Sequence, residues 1–74
     1  MTFRERVIFR YVFDANRAVG MVPYLLPSRW WPTAAVMEQQ GWLGGKIAVS
    51  AAPGAKGYVV TGRGIDAYNT SLPQ

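Results

Sequence analysis

Hydrophobic positions change their spacing several times along the chain, and each change marks an element. From Thr2 to Val19 they recur at helical intervals. At roughly 100° per residue, Val7, Ile8, Tyr11, Val12, Ala15, Ala18 and Val19 share one broad face. Arg6, Arg10 and Arg17 gather on the opposite side, with Phe9 and Phe13 flanking them. Thr2 and Glu5 have the spacing of a capping box, so the pattern predicts a helix over residues 2–19. The run Val-Ile-Phe-Arg-Tyr-Val-Phe (residues 7–13) is also rich in strand formers. Length and the capping box decide for helix.

Gly20 ends that helix. Met21–Leu26 is a short apolar segment with Pro23 near its start and Pro27 as its stop, which fits a supporting helix of about two turns at most. Ser28 can cap a helix beginning near Arg29 with Pro32 in its first turn. Alternatively Trp31 is the last extended residue and the helix starts at Pro32. Either way Thr33–Gln40 is helical and Gly41 terminates it. Beyond it the period drops to two: Ile47, Val49 and Ala51 alternate with Lys46, Ala48 and Ser50. Pro53–Gly57 supplies a loop, and Tyr58–Val60 return as a second strand. Thr61 then caps a helical turn carrying Ile65 and Tyr68, and Thr70–Gln74 read as a frayed tail.

Two segments carry a resemblance. Met37-Glu38-Gln39-Gln40-Gly41-Trp42-Leu43 resembles the Leu-Glu-x-x-Gly-Leu-x ending of the recognition helix in winged-helix regulators. Glu38 and Gly41 match it by identity, and Met37, Trp42 and Leu43 by type. Tyr58-Val59-Val60-Thr61-Gly62-Arg63-Gly64 resembles the Tyr-x-Leu-Thr-x-x-Gly signature that follows the wing, with Arg63 in the basic position before the glycine. The resemblance is strongest over residues 34–69. It implies one α+β domain over residues 1–74, a three-helix core with a two-stranded β-hairpin wing.

The totals narrow the function classes. With no cysteine and no histidine, disulfides, thiolate metal sites and histidine-based catalysis are excluded. The acidic residues are only Glu5, Asp14, Glu38 and Asp66, and no serine has a base near it in sequence. The glycines around Gly54 and Gly57 lack the Gly-Lys-Ser/Thr of a phosphate loop. We expect no enzyme, no cofactor and no metal. The longest apolar run, Ala18–Leu26, falls short of the ~20 residues a membrane span needs, so a cytoplasmic chain is expected. The net charge of +4 favours nucleic acid, anionic lipid or an acidic protein.

The resemblance implies a small transcriptional regulator on double-stranded DNA, with the third helix in the major groove and the wing on the backbone. Carried over residue by residue, Ser28, Arg29, Trp31, Ala35 and Gln39 would face the groove. Lys46 and Lys56 would neutralise phosphates, and a homodimer would compensate for so few contacts. Yet Ala34, Ala35, Val36 and Met37 give the recognition helix little polar surface, and Trp30 and Trp31 suit a core, at least one of them buried. The competing expectation is therefore a protein-interaction module on the same scaffold, the format of small phage-type inhibitors of host proteins. Its candidate partner or dimer interface is Arg6, Phe9, Arg10, Phe13 and Arg17.

Overall fold

Thr2 caps the first helix as its spacing predicts. Its N–H donates to Glu5 Oε1 at 2.7 Å, and its hydroxyl accepts the Glu5 N–H at 3.2 Å. Donors orphaned at a helix start are thus satisfied reciprocally. In the computed structural model, which describes residues 1–20, 23–47 and 56–70, this helix is α1 (Phe3–Val19). Gly20 ends it at a φ of 82°, open to glycine without a side-chain penalty.

The chain continues through β1 (Tyr24–Leu25), a 3-10 turn (Ser28–Trp30), α2 (Trp31–Gln39), β2 (Leu43–Ile47), β3 (Lys56–Val60) and α3 (Gly62–Thr70). The fold is α+β, with three helices and one antiparallel sheet of order β1-β3-β2. It is compatible with a winged-helix-like layout. Tyr24 pairs with Tyr58 and Leu25 with Gly57, while the β2–β3 ladder runs from Leu43 opposite Val60 to Ile47 opposite Lys56.

Two expectations are corrected here. The supporting helix expected in Met21–Leu26 is absent over its described part, where Tyr24 and Leu25 form a strand. Pro27 pushes Leu26 out of the helical region, and β3 offers hydrogen-bond partners that a two-turn helix lacks. The hairpin is consequently part of a three-stranded sheet, and the third helix of the domain is the one that closes it. The strands also start earlier than expected, β2 at Leu43 and β3 at Lys56. The expected alternation of Ala48–Ala51 and the Pro53–Ala55 part of the loop lie outside the described residues.

The helix-to-hairpin turn is a Schellman motif. The Trp42 N–H donates to the Met37 carbonyl at 3.0 Å and the Gly41 N–H to that of Glu38 at 2.9 Å, with Gly41 at a φ of 80°. Beside that turn, where the chain leaves the hairpin, Thr61 accepts the Gly64 N–H at 2.9 Å, capping α3. Its hydroxyl proton is shared between the carbonyls of Gly41 at 2.7 Å and Trp42 at 3.0 Å. Gly64 itself lets α3 approach. A Cβ there would stand 2.6 Å from Phe9 Cε2 and closer still to the Trp42 carbonyl oxygen.

The core gathers Ile8, Phe9 and Val12 of α1 with Leu26, Ala34, Met37, Leu43, Tyr58 and Val60. This face of α1 is rotated from the expected one. Phe9, expected beside the basic stripe, is 2% exposed, whereas Tyr11 is 52% exposed and Ala18 lies open. The apolar arc of α1 is wider than the sheet can cover, so packing decides which half is buried. Phe9 wins because α3 lies over it: its ring stacks on Tyr68 at 5.3 Å and on Phe13 at 6.4 Å.

Candidate functional site

The surface formed by α2 and the hairpin holds most of the residues expected to read DNA. Ser28 is exposed, but it opens the 3-10 turn and no side-chain cap bond forms there. Arg29 is exposed and lies over the Trp30 ring at 5.3 Å. Trp31 is not free to face a groove. It is half-buried against the core, and its indole N–H donates to the Leu26 carbonyl at 2.9 Å. Trp30 also leans on the core, so neither tryptophan is fully buried. Ala35 and Gln39 are exposed on α2. Lys46 is placed by its backbone in β2 opposite Gly57.

Lys56 departs most from expectation. It stands in the ladder opposite Ile47, and its Nζ donates to Glu38 Oε1 at 3.2 Å. Gly45 makes this possible, because a Cβ there would run into the Glu38 carboxylate. The one acid on α2 thus offsets the lysine that the hairpin was expected to offer to phosphate. The same carboxylate and burial act on Tyr58. Burial first, then Glu38, raises its phenol above the usual tyrosine range, and Lys56 opposes them.

The second surface is the outer side of α1. The residues at i+4 spacing, Phe3, Val7, Tyr11 and Ala15, line an open groove of about 610 Å³ with Tyr24 of β1 and Tyr68 of α3. Arg6, Arg10 and Asp14, also at i+4 intervals, supply its polar lining. Phe3 is 75% exposed. Arg6 lies over Phe3 at 5.9 Å, and Tyr11 meets the Trp30 ring edge-on at 5.1 Å. Arg10 Nε donates to both Asp14 oxygens, at 3.0 and 3.2 Å. The Tyr68 hydroxyl and then Asp14 raise the Arg10 pKa, so the guanidinium stays charged.

Of the expected partner interface, Arg6 and Arg10 line this groove. Arg10, Phe13 and Arg17 also line a smaller one of about 330 Å³ between α1 and α3, with Arg17 over Phe13 at 5.8 Å. Phe9 is a correction: it is core and cannot serve as a surface contact. The groove residues that sequence reasoning missed include Phe3 and Tyr24. Tyr11, Val7 and Ala15 belong to the broad apolar face read from the sequence, of which only part is buried. The signal available was the width of the α1 apolar arc, too broad for one buried stripe.

Among the described residues no group of three acidic side chains gathers to hold a metal ion, and no helix is long and apolar enough to cross a membrane. Compared with known proteins, the chain matches no family model, no curated protein and no solved structure.

Proposed function

We propose that this chain is a protein-interaction module on a winged-helix-like scaffold, engaging its partner through the α1–β1 side. The supporting observation is the outer row of α1. Phe3, Val7, Tyr11 and Ala15 line an open groove, while the core closes on the other half of the helix. Exposed apolar surface of this kind serves contacts with other proteins, ligands or membranes, and the first is the reading proposed. Charge points the same way. Of the 8 basic residues, Arg4, Arg6, Arg10 and Arg17 lie on α1, α2 has none, and Lys56 is paired with Glu38.

The test is affinity capture by the folded chain and two double variants, Phe3→Ser/Tyr11→Ser and Arg29→Ala/Lys56→Ala. Circular dichroism confirms that each is folded. A partner lost only with the first pair supports the reading. A partner, or duplex DNA, lost only with the second overturns it.

A second reading is a DNA-binding regulator acting as a dimer. It is favoured by the Schellman turn at Gly41, which leads α2 directly into an antiparallel hairpin with Arg29 and Gln39 exposed. Such a unit suits a helix in the major groove with a ribbon on the backbone.

A further inference from the structure

We propose that the smaller groove, between α1 and α3, binds an aromatic carboxylate. This goes beyond the protein-interaction reading and does not depend on it. The groove measures about 330 Å³. That is near the lower limit of small-molecule sites, room for one ring and its acid group. Both helices supply apolar walls, Phe9 and Phe13 from α1, Ile65 and Tyr68 from α3. Phe9 is core and stacks on both other rings, which fixes them in place. Phe13, Ile65 and Tyr68 are half-buried and leave apolar surface for a further ring to pack on.

Charge selects an anion. Among the described residues Arg10 and Arg17 line the groove and no carboxylate does. Arg10 is already engaged. Its Nε donates to Asp14 at 3.0 and 3.2 Å, and the Tyr68 hydroxyl is a second partner. It forms a fixed wall whose charge Asp14 offsets. The choice of ligand therefore rests on Arg17. Among the described residues Arg17 forms no hydrogen bond or ion pair, and its guanidinium lies over the Phe13 ring at 5.8 Å. That contact uses no hydrogen-bond acceptor, so the planar fork of N–H groups is left for a carboxylate, which it can take bidentately. Asn69, also in the lining, adds a neutral amide donor. One uncompensated positive charge beside an aromatic wall suits a singly charged acid carrying a ring. A phosphate would bring more charge and no ring.

The experiment is a nuclear magnetic resonance titration of the isotope-labelled full chain. The probes are N-acetylphenylalanine, its neutral amide, N-acetylglycine and inorganic phosphate. Saturable shifts are expected with the first alone, at the backbone amides of Arg17, Ile65 and Asn69. Arg17→Gln should weaken binding by about tenfold, the scale of one charge-assisted hydrogen bond. Arg17→Lys keeps the charge without the fork and should fall between. Arg4→Gln, exposed on the same helix, should bind as wild type does. Circular dichroism verifies that each variant is folded. Equal binding of the neutral amide overturns the anion, equal binding of N-acetylglycine overturns the ring, and preference for phosphate overturns the carboxylate. Unchanged affinity in Arg17→Gln, or shifts confined to other amides, overturns the location. Absence of binding overturns the whole. The same chemistry occurs as a free acid and as the end of a polypeptide. Tighter binding of acetyl-Gly-Gly-Phe than of N-acetylphenylalanine assigns the ligand to a chain terminus, and equal or weaker binding assigns it to a free acid.

Discussion

Asn16 Oδ1 accepts the backbone N–H of Val60 at 2.9 Å, across 44 positions of sequence, with Asn16 only 4% exposed. This bond fastens the last turns of α1 to the end of β3. It satisfies a main-chain donor where the strand gives way to α3. It also explains a polar side chain in line with Ile8, Phe9 and Val12. A buried amide is stable there because it meets a backbone group that would otherwise lack a partner.

Removing the acceptor should be costly. Asn16→Ala leaves the Val60 N–H buried without a partner, and a loss of about 1–3 kcal/mol of stability is expected. Urea denaturation measures the loss, and hydrogen exchange at the Val60 amide should speed up by more than at amides of β2. A change within error would show that water replaces the amide.

The two halves of α1 should respond oppositely to truncation. Phe9→Ala removes a ring stacked on Tyr68 and Phe13 and should cost about 3–5 kcal/mol, enough to unfold much of a marginal small domain. Phe3→Ser should change stability by less than about 0.5 kcal/mol, as surface substitutions do. Thermal melts of both variants decide it. Comparable losses would place Phe3 in the core.

Two glycines should resist alanine for different reasons. Gly41→Ala forces an L side chain to a φ of 80°, with an expected cost of about 1 kcal/mol or more. Gly64→Ala meets no dihedral penalty but pushes α3 off Phe9 and the Trp42 carbonyl, an overpacking cost of about 1–3 kcal/mol. Chemical denaturation should rank both below wild type, and near-ultraviolet circular dichroism should change for Gly64→Ala.

Alkali should destabilise the fold through Tyr58. Its folded pKa lies above the ordinary value of 10.0, so the folded state holds the phenol proton more tightly than the unfolded chain does. The associated stability is complete below that value and falls as pH rises past it towards the folded pKa. Unfolding free energy measured on both sides of pH ~10 should drop more in wild type than in Tyr58→Phe. Equal slopes would assign the loss to other groups.

Under the DNA reading, Arg29→Ala and Lys56→Ala should each weaken duplex binding uniformly across sequences and lower the salt slope by about one. If the Glu38 contact holds Lys56 away from phosphate, Lys56→Ala should leave the slope unchanged, while Glu38→Gln should raise affinity. Mobility shifts at two salt concentrations separate these results.

The features legible in the sequence are those fixed within a few residues. The Thr2–Glu5 capping box, the helix ends at Gly20 and Gly41 and the Thr61 cap each need only local partners, and each is present. What was not legible depends on distant neighbours. Tyr24 and Leu25 become a strand because β3 lies beside them. Phe9 is buried because α3 crosses it. Gly44 and Gly45 sit inside β2 despite their weak strand preference, since Val59 and Glu38 occupy the space their side chains would fill. Of the candidate site, the spacing of Arg6 and Arg10 is legible in the sequence, but Tyr11 shares one apolar arc with the core residues Ile8 and Val12, and only packing separates them.

Gly57 faces Pro23, Gly45 accommodates the Glu38 carboxylate, and Thr61 meets the end of α2. A shift of β3 by one position would set a side chain against the proline and carry the threonine hydroxyl away from both carbonyls. A slip of β3 is thereby penalised at two separate checkpoints, Gly57 and Thr61. The sheet proofreads its own alignment, so the growing ladder has little chance of trapping the chain in an out-of-step arrangement.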